Sequence, residues 1–280
     1  VGTYISSIKS MINIPLLVSF YGWDYGHDLE HRVDEYNKMF NSVDGITAMN
    51  DFMKARLIKF GCPKEKIRIV RIWVDTNLPL NYKTQFSTDK NIKILSIGRL
   101  TYKKGYETCL KLMHYLKLEG ISFTYTILGE GPLEQSLKKL SNKYKLNKYL
   151  NFAGVVKRYE VGKYLNDCDI FLLHSVEGPN GDLEGTPTVL LEAGLLKKPV
   201  LSTYHAGIPE IIEHGKSGYL TEENDIEEAK KLLIKLIKEP KKQMEFGEQL
   251  FVNIQKKYTQ NINSKKFLEF YNYLQSKSID

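Results

Sequence analysis

The sequence lacks most of the features that mark secreted, metal-binding and membrane-spanning proteins. Its 280 residues include only three cysteines, at positions 62, 109 and 168, which are too few and too scattered for a disulfide framework or a metal cluster. We therefore expect a reducing, cytoplasmic environment. No apolar run approaches the roughly 18 residues that a membrane-spanning helix needs.

The opening segment, VGTYISSIKSMINIPLL, has neither a basic stretch nor a small-residue cleavage site, so it predicts no signal peptide. It also lacks an initiator methionine and begins in the middle of a pattern. We therefore expect the true N-terminus to lie upstream of the first residue given.

What the chain does contain is a globular composition with an excess of positive charge. Hydrophobic residues make up 42% and charged residues 26%, and the formal net charge is +7. Such a charge can attract anionic lipids, nucleic acids or phosphorylated substrates. The lysines are spread along the chain without the basic and aromatic clusters of a nucleic-acid-binding face, so we predict a lysine-rich surface and no nucleic-acid partner.

Strand-like and helix-like segments alternate along most of the chain, which favours parallel sheets. A first series ends near residue 75, residues 76–91 are polar and irregular, and a second series runs from residue 93 to residue 221. We predict an α/β fold of the GT-B type, with two Rossmann-like parallel-sheet domains of which the N-terminal one is incomplete. Its expected parts are residues 1–80, residues 81–258 and a C-terminal helical segment, residues 259–280, that packs back on the first domain.

The pattern also predicts individual elements. Among them are helices over residues 29–40, 51–61, 106–117, 160–166, 225–239 and 264–276, and strands over residues 14–20, 44–50, 66–75, 123–131 and 169–175. In the helix at 51–61, Asp51 stands near the N-cap and Gly61 at the position after the last turn.

The turn IGRLTYKKGYE follows the first strand of the second series. Arg99, Lys103 and Lys104 lie beyond the strand end, where parallel sheets bind ligands, and Gly98 and Gly105 allow a close backbone approach. Cations at a strand-to-helix turn suit a phosphate group. A solvated basic turn is an equally good interpretation of these residues alone.

Two other motifs are weaker. The stretch LGEGPLE resembles a dinucleotide-binding turn without the third glycine, so a tight strand-to-helix turn is the better interpretation. Asp167 and Asp169 form a D-x-D that leads into an apolar strand, which favours a helix end and a strand start over a metal site. We find no ligand spacing for a metal.

The stretch GDLEGTPTVLLEAGLLKKPVLST places two glutamates around the start of a helix. Thr186 and Pro187 suit the N-cap and first helical position, with Glu184 just before them. Glu192 falls on the apolar face of this helix, where an unpaired carboxylate is costly. A nucleotide sugar would explain both acids, since carboxylates accept hydrogen bonds from hydroxyls. Alternatively, Glu192 pairs with a lysine such as Lys197 or Lys198.

A further loop, STYHAGIPEIIEHG, repeats the design of a strand, a glycine-containing turn and a short helix that begins near a proline. It contains His205, which we expect to be a solvated loop histidine rather than a catalytic one.

Taken together, several stretches resemble the retaining GT-B glycosyltransferases of family 4, over residues 14–219. The matching pieces are SIGRLTYKKG, LGEGPLE, NFAGVV, DCDIFLLHS, EGTPTVLLEAGLLKKPVLST and AGIPEIIEHGKSGYL. The seven-residue spacing between Glu184 and Glu192 is the signature of that family. The stretch PNGDLEGTP further resembles enzymes of bacterial exopolysaccharide assembly, including colanic-acid-type transferases.

The resemblance implies a role for each matching residue. Arg99 and Lys104 would bind the diphosphate of a nucleotide sugar, Glu192 the ribose hydroxyls and Glu184 the donor hexose. Arg99, Lys104 and Glu184 would form the catalytic set, and sugar transfer would proceed with retention and without a metal or cofactor. The whole donor site implied is Gly98, Arg99, Lys104, Gly154, Val155, Val156, Glu184, Gly185, Thr186, Pro187 and Glu192.

The acceptor side departs from the family. The family often shows T-F-H-G-x-D where this chain has S-F-Y-G-W-D, so Tyr21 replaces a histidine, and Tyr21 and Asp24 are the remaining acceptor-side candidates. The first domain is also shorter than the family's.

The resulting hypothesis is a hexosyltransferase that uses a UDP- or GDP-sugar and a saccharide or lipid-linked acceptor in bacterial surface polysaccharide synthesis. We expect it in the cytoplasm, with peripheral contact to the anionic inner face of the membrane. The alternatives are a donor-binding fragment without turnover and an NAD-dependent oxidoreductase, which the missing third glycine disfavours.

Overall fold

Two parallel sheets organise the chain. A computed structural model describes residues 9, 11, 14–22, 26–74 and 91–277. The first sheet has the order β1-β2-β3, and each neighbouring pair is parallel. Its strands are β1 (Leu17–Ser19), β2 (Gly45–Ala48) and β3 (Ile67–Ile69), and its helices are α1 (His27–His31), α2 (Val33–Ser42) and α3 (Asp51–Lys59).

The second sheet has six parallel strands in the order β6-β5-β4-β7-β8-β9. Its strands are β4 (Ile92–Ile97), β5 (Phe123–Leu128), β6 (Leu150–Gly154), β7 (Ile170–Leu172), β8 (Val200–Thr203) and β9 (Tyr219–Thr221). The chain moves outward from β4 to β6 and then returns to the other side of β4. This reversal is the doubly wound pattern, in which ligands bind beyond the carboxyl ends of the strands on either side of the reversal.

Helices cover both faces of the second sheet and finish the chain. They are α4 (Tyr106–Leu118), α5 (Glu134–Lys143), α6 (Arg158–Asp167), α7 (Thr188–Leu195), α8 (Ile208–Ile211), α9 (Ile226–Lys238), α10 (Pro240–Lys257) and α11 (Gln260–Lys277). None of the helices in the described ranges combines the length and the apolar character needed to cross a membrane.

The apolar runs of the second sheet are continuous because both of its faces are buried. On β7, Ile170 and Leu172 join one hydrophobic cluster, while Phe171 between them joins the cluster on the opposite face. Successive side chains of a strand point to opposite faces. An unbroken apolar stretch is therefore what a strand covered by helices on both sides requires.

The first series differs from its predicted boundaries in two places. The single helix expected over residues 29–40 is divided at Arg32, whose φ of −130° and ψ of 36° are not helical. The strand expected over residues 66–75 pairs in the sheet only through β3, and Val74 makes a separate bridge to Thr259. The N-cap of α3 is Asn50, one residue before the predicted Asp51, and Gly61 follows the helix with a φ of +96° as expected.

Helix α10 was not predicted from the sequence pattern. Pro240 lies in its first turn, a position that suits proline because the missing N–H has no intrahelical partner there. Phe246, Leu250 and Ile254 are fully buried at four-residue spacing. They pack on α7 so closely that a Cβ atom at Gly194 would lie 2.1 Å from Cδ1 of Ile254.

Helix α11 contacts the first sheet. A Cβ atom added to Gly45 would lie 2.6 Å from Cδ1 of Leu274 and 2.8 Å from Cζ of Phe270. The guanidinium of Arg68 lies 5.2 Å from the centre of the Phe270 ring. The exact division of the chain near residues 80 and 258 stays a prediction.

Candidate functional site

The turn after β4 carries the predicted phosphate-binding cations. A 3-10 turn spans Tyr102–Lys104, and Gly105 then opens α4 with a φ of +63°. Lys103 Nζ lies 2.8 Å from Asp182 Oδ1 and donates to the carbonyl of Leu183 at 3.2 Å. Lys103 therefore holds the loop that follows β7, which corrects its inclusion among the phosphate-binding candidates.

Lys104 and Glu184 form an ion pair at the point where the strand order reverses. Lys104 Nζ lies 2.8 Å from Glu184 Oε1, and the two side chains are only 13% and 8% exposed. The structure thus brings together two residues that are 80 positions apart in the sequence. Both follow strands that flank the reversal, β4 and β7, where a ligand site is expected.

Arg99, which also follows β4, lines a cavity of about 750 Å³. The cavity is lined by Arg99, Gly129, Glu130, Gly131, Pro132, Glu134 and Val155. These residues follow β4, β5 and β6, so the cavity lies at the carboxyl edge of the sheet. Its volume is in the range of sites for small molecules and cofactors.

The glycines after β5 shape one wall of this cavity. A Cβ atom at Gly131 would lie 2.6–2.8 Å from backbone atoms of Leu100, and one at Gly129 would lie 2.1 Å from the carbonyl oxygen of Gly98. The glycines are thus needed where this turn packs on the end of β4, in agreement with the predicted tight turn. Helix α5 begins at Glu134, two residues after Pro132.

The segment after β6 contributes an exposed edge. Gly154 has a φ of +67°, and its carbonyl accepts a hydrogen bond from the Gly129 N–H at 2.8 Å. Val155 is 67% exposed and lines the cavity, and Val156 packs against the core beneath it. The predicted triplet therefore includes one side chain, Val155, that is open to a ligand.

Glu192 is buried on α7, with 5% of its side chain exposed, and Arg158 Nη1 lies 2.8 Å from its Oε1. Burial raises the pKa of the Glu192 carboxyl, and Arg158 opposes that rise. The predicted alternative partners are wrong, because Lys197 pairs with Glu248 at 2.8 Å and Lys198 donates to the carbonyl of Asn166. The side chain of Arg158 is 73% exposed, so the guanidinium reaches Glu192 from the solvent side.

Helix α7 begins at Thr188, one residue later than predicted, and its N-cap is Pro187 instead of Thr186. Pro187 takes an extended conformation with a ψ of 106° and makes no side-chain cap. The Thr186 hydroxyl and the Gly185 carbonyl instead accept hydrogen bonds from Asn50 Nδ2, at 3.2 and 3.1 Å. Both groups therefore bind a side chain from the first sheet's half of the chain.

The expectation of a solvated His205 is wrong. The residue is 1% exposed, its Nε2 accepts a hydrogen bond from the Glu184 N–H at 3.0 Å, and its Nδ1 lies 2.5 Å from Glu223 Oε1. These contacts could not be predicted from local pattern, because Glu184 and Glu223 lie far from the histidine along the chain.

Several contacts join the two halves of the chain. Glu210 Oε1 accepts the Asp51 N–H at 2.6 Å, and its Oε2 lies 2.9 Å from Arg71 Nη2. A Cβ atom at Gly185 would lie 2.3 Å from the carbonyl oxygen of Tyr21. The Tyr21 side chain is 59% exposed, and the other acceptor-side candidate, Asp24, lies outside the described residues.

No metal-binding group of three or more His, Cys, Asp or Glu side chains occurs within the described ranges. The D-x-D stretch has the structural role that was expected of it. Asp167 is the last residue of α6 and pairs with Lys93 at 2.8 Å, while buried Asp169 accepts the Lys93 N–H at 2.8 Å.

Residues 81–250 match the family described as Glycosyl transferases group 1. The chain is 41% identical over 199 residues to the "Putative colanic acid biosynthesis glycosyltransferase WcaL" of Escherichia coli (strain K12), a match that covers 70% of this chain and 48% of that protein. It is 36% identical over 219 residues to the "Amylovoran biosynthesis glycosyltransferase AmsK" of Erwinia amylovora, covering 78% and 54%. The chain thus spans about half the length of the curated relatives it matches.

Solved structures share the fold. Anabaena Alr3699/HepE in complex with UDP superposes with a TM-score of 0.82 at 17% identity, over 97% of this chain and 76% of that one. A glycosyltransferase from Rickettsia africae ESF-5 superposes with a TM-score of 0.80 at 18% identity, over 96% and 73%. At these identities the likeness concerns the fold alone, and it confirms the expected GT-B architecture.

Proposed function

This chain belongs to the group 1 glycosyl transferases, and from that premise we propose that it transfers a hexose from a UDP- or GDP-sugar, with retention, in the synthesis of a bacterial surface polysaccharide. The acceptor is a saccharide or a lipid-linked saccharide. The names of the relatives from Escherichia coli and Erwinia amylovora, which refer to colanic acid and amylovoran biosynthesis, support the polysaccharide part of the proposal.

The observation that carries the proposal is the buried carboxylate of Glu192 beneath an exposed guanidinium. Because burial raises the pKa of this carboxyl, the site favours partners that satisfy the charge. Arg158 provides one while its side chain is 73% exposed, so it can move aside at little loss of packing. The two hydroxyls of a ribose diol would then donate hydrogen bonds to the same carboxylate.

Arg99 and Lys104 would bind the diphosphate and stabilise the charge that develops on it as the sugar leaves. Preorganised cations aimed at developing charge are a large contribution to catalysis. Lys104 is already held by Glu184 at 2.8 Å, so its ammonium is fixed before a donor arrives. Glu184 would contact the donor hexose, and we propose no metal or cofactor because these two cations supply the charge.

The remaining proposed donor contacts are with the base and with the phosphates. The base would lie against Gly154, Val155 and Val156, since Val155 is exposed at the cavity wall. Gly185, Thr186 and Pro187 would face the phosphates from the start of α7. The structure of HepE contains UDP, which supports a uridine nucleotide as the first ligand to test.

A second candidate function is donor binding without turnover by this chain alone. It is favoured by one observation, the coverage of only about half of the relatives' length. Tyr21 and Asp24 are the acceptor-side candidates in either case. The net charge of +7 supports peripheral contact with an anionic membrane where the acceptor carries a lipid.

The test is ligand-induced stabilisation by UDP, GDP, ADP and NAD, measured on the parent and on Glu192→Gln. A nucleotide at one hundred times its dissociation constant should add about 2.7 kcal/mol to the free energy of unfolding. We expect stabilisation by UDP or GDP that is largely lost in Glu192→Gln. The matched control is Glu248→Gln, since Glu248 is 60% exposed and pairs with Lys197, and it should respond as the parent does.

Stabilisation by NAD alone would contradict the proposal and favour an oxidoreductase. Equal stabilisation of the parent and Glu192→Gln by UDP would contradict the role of Glu192. Transfer of radiolabelled hexose to an acceptor polysaccharide fraction separates an enzyme from a protein that only binds the donor.

A further inference from the structure

We infer that His205 and Glu223 form a positioning dyad that fixes the Glu184 peptide, and with it the sugar-binding side of the donor site. The inference rests on the proposed function, in which Glu184 contacts the donor hexose. Neither residue of the dyad is among those that the family resemblance assigned to the site. Both follow strands of the second sheet, His205 after β8 and Glu223 after β9.

The dyad links three segments through one carboxylate. Glu223 Oε1 lies 2.5 Å from His205 Nδ1, and Glu223 Oε2 accepts the Glu177 N–H at 2.7 Å. His205 Nε2 accepts the Glu184 N–H at 3.0 Å. Glu223 therefore holds one end of the loop from Glu177 to Glu184 directly and the other end through the histidine.

The network assigns the tautomer of the histidine. A ring nitrogen that accepts a hydrogen bond from a backbone N–H carries no proton, so the proton of the neutral ring is on Nδ1 and is donated to Glu223. A carboxylate at Nδ1 is a common way to fix both the tautomer and the plane of an imidazole. Because His205 is 1% exposed, packing also restrains its ring.

The neighbouring residues of the loop are held by other groups. Lys103 contacts Asp182 and the Leu183 carbonyl, and Asn50 contacts the Gly185 carbonyl. The Glu184 N–H donates to His205 Nε2, while Lys104 pairs with the Glu184 carboxylate. The backbone and the side chain of Glu184 are thus held by two different residues.

The dyad acts on one side of the site. Its contacts are with Glu177 and Glu184, whereas the nucleotide-side candidates Arg99 and Val155 follow β4 and β6. Loss of the dyad should therefore weaken recognition of the hexose and leave recognition of the nucleoside diphosphate unchanged. A residue with a merely structural role would change both or neither.

The experiment compares dissociation constants for UDP-glucose with UDP, and for GDP-mannose with GDP, on ligand-free parent and variants. His205→Phe keeps a buried ring but removes the nitrogen that accepts the Glu184 N–H. We expect it to weaken sugar-nucleotide binding about tenfold, which corresponds to the loss of about one hydrogen bond. Binding of the nucleoside diphosphate should be unchanged. His205→Gln offers an amide oxygen to the Glu184 N–H and an amide N–H to Glu223, so it should restore most of the loss. Glu222→Gln, one residue from Glu223 and exposed, is the matched control and should bind as the parent does.

Each other outcome overturns the inference. Equal weakening of both ligands in His205→Phe would show a structural role alone, and unchanged binding or failed rescue by His205→Gln would show that the hydrogen bond does not position Glu184. A parent that binds neither pair of ligands would overturn the proposed function together with the inference. The ¹⁵N spectrum of the His205 ring in the ligand-free parent tests the dyad separately, since a proton on Nε2 would overturn it even where donor binding holds.

Discussion

The two sheets of this protein contribute to the site in different ways. In the second sheet, β4 pairs with β5 over six residues, and the residues after β4, β6 and β7 supply the cations, the exposed valine and one of the two glutamates. In the first sheet, β1 pairs with β2 over three residues, and short strands of this kind form a sheet of limited independent stability. The second sheet builds the candidate site, and the first sheet supports it from outside.

The support runs through a few polar side chains. Asn50 reaches Gly185 and Thr186, and Glu210 pairs with Arg71, with only 20% and 16% of their side chains exposed. Ion pairs that are partly removed from water are screened less by salt than surface pairs. The contacts that join the halves are thus specific and few, and substitutions can test each half separately.

The most severe way to break the second sheet is Gly105→Ala. Gly105 has a φ of +63°, and a Cβ atom there would lie 1.8 Å from the His174 carbonyl oxygen. Such a contact forces the turn after β4 away from the end of β7, so we expect a loss of about 4 kcal/mol or more in the free energy of unfolding. Urea denaturation followed by circular dichroism measures it.

Gly120→Ala is the control for Gly105→Ala. Gly120 has a φ of +69° with nothing within 4 Å of an added Cβ atom, so this variant has the backbone strain without the contact. It should lose only about 1 kcal/mol. Equal losses in the two variants would show that the turn after β4 does not depend on close packing against His174.

The next largest expected effect is a loss of folding stability at low pH, and it arises from a residue of the second sheet's half of the chain. His174 lies just beyond β7 with no exposed surface, and burial lowers its pKa to about 4 from an ordinary value of 6.5. Between these values the unfolded chain binds a proton that the folded chain does not. The stability associated with the neutral ring is therefore present above pH 6.5 and is lost as the pH falls toward 4, in total about 3 kcal/mol.

His174→Leu should remove this part of the acid sensitivity while leaving stability near neutral pH similar. Neither ring nitrogen finds a hydrogen-bond partner among the described residues, so an apolar side chain of similar size loses no bond. The measurement is the free energy of unfolding at several pH values between 7 and 4. Parallel curves for the parent and His174→Leu would show that folding does not lower the pKa of His174.

The same comparison explains what the sequence could predict. Local patterns could be predicted because neighbouring residues determine them. They are the alternation of strands and helices, the turn at LGEGPLE and the spacing of Glu184 and Glu192. Glu192 was recognised as unusual because a carboxylate on the apolar face of a short helix conflicts with its surroundings. The correct partner, Arg158, was not recognisable, since the helix that carries it is brought there by packing.

The errors at the site share this cause. His205 was expected to be solvated because it lies in a loop, but it is buried and bonded to residues that follow two other strands, β7 and β9. Thr186 is a residue type that suits an N-cap. Its hydroxyl instead accepts a hydrogen bond from Asn50 Nδ2. Distant contacts of this kind decide which of several locally suitable roles a polar residue adopts.

The smallest expected effect on stability comes from substituting Asn50, which links the two halves of the chain. Its Oδ1 accepts the Met53 N–H at 2.7 Å as the N-cap of α3, while its Nδ2 donates to Gly185 and Thr186. Asn50→Ser keeps a capping hydroxyl but is too short to reach Gly185. Its difference in unfolding free energy from the parent therefore measures the bridge, meaning the hydrogen bonds from Asn50 to Gly185 and Thr186. Asn50→Ala removes both, and the difference between the two variants reports the cap.

We expect about 1 kcal/mol for the bridge, since the buried Gly185 carbonyl is left without its donor, and about 1 kcal/mol for the cap. Amide hydrogen exchange shows where the loss occurs. If the first sheet is supported by the second, amides of β2 should exchange faster in both variants while those of β4 and β5 keep their protection. Faster exchange in β5 would instead mean that the halves unfold as one cooperative unit, because local opening would then involve the second sheet as well.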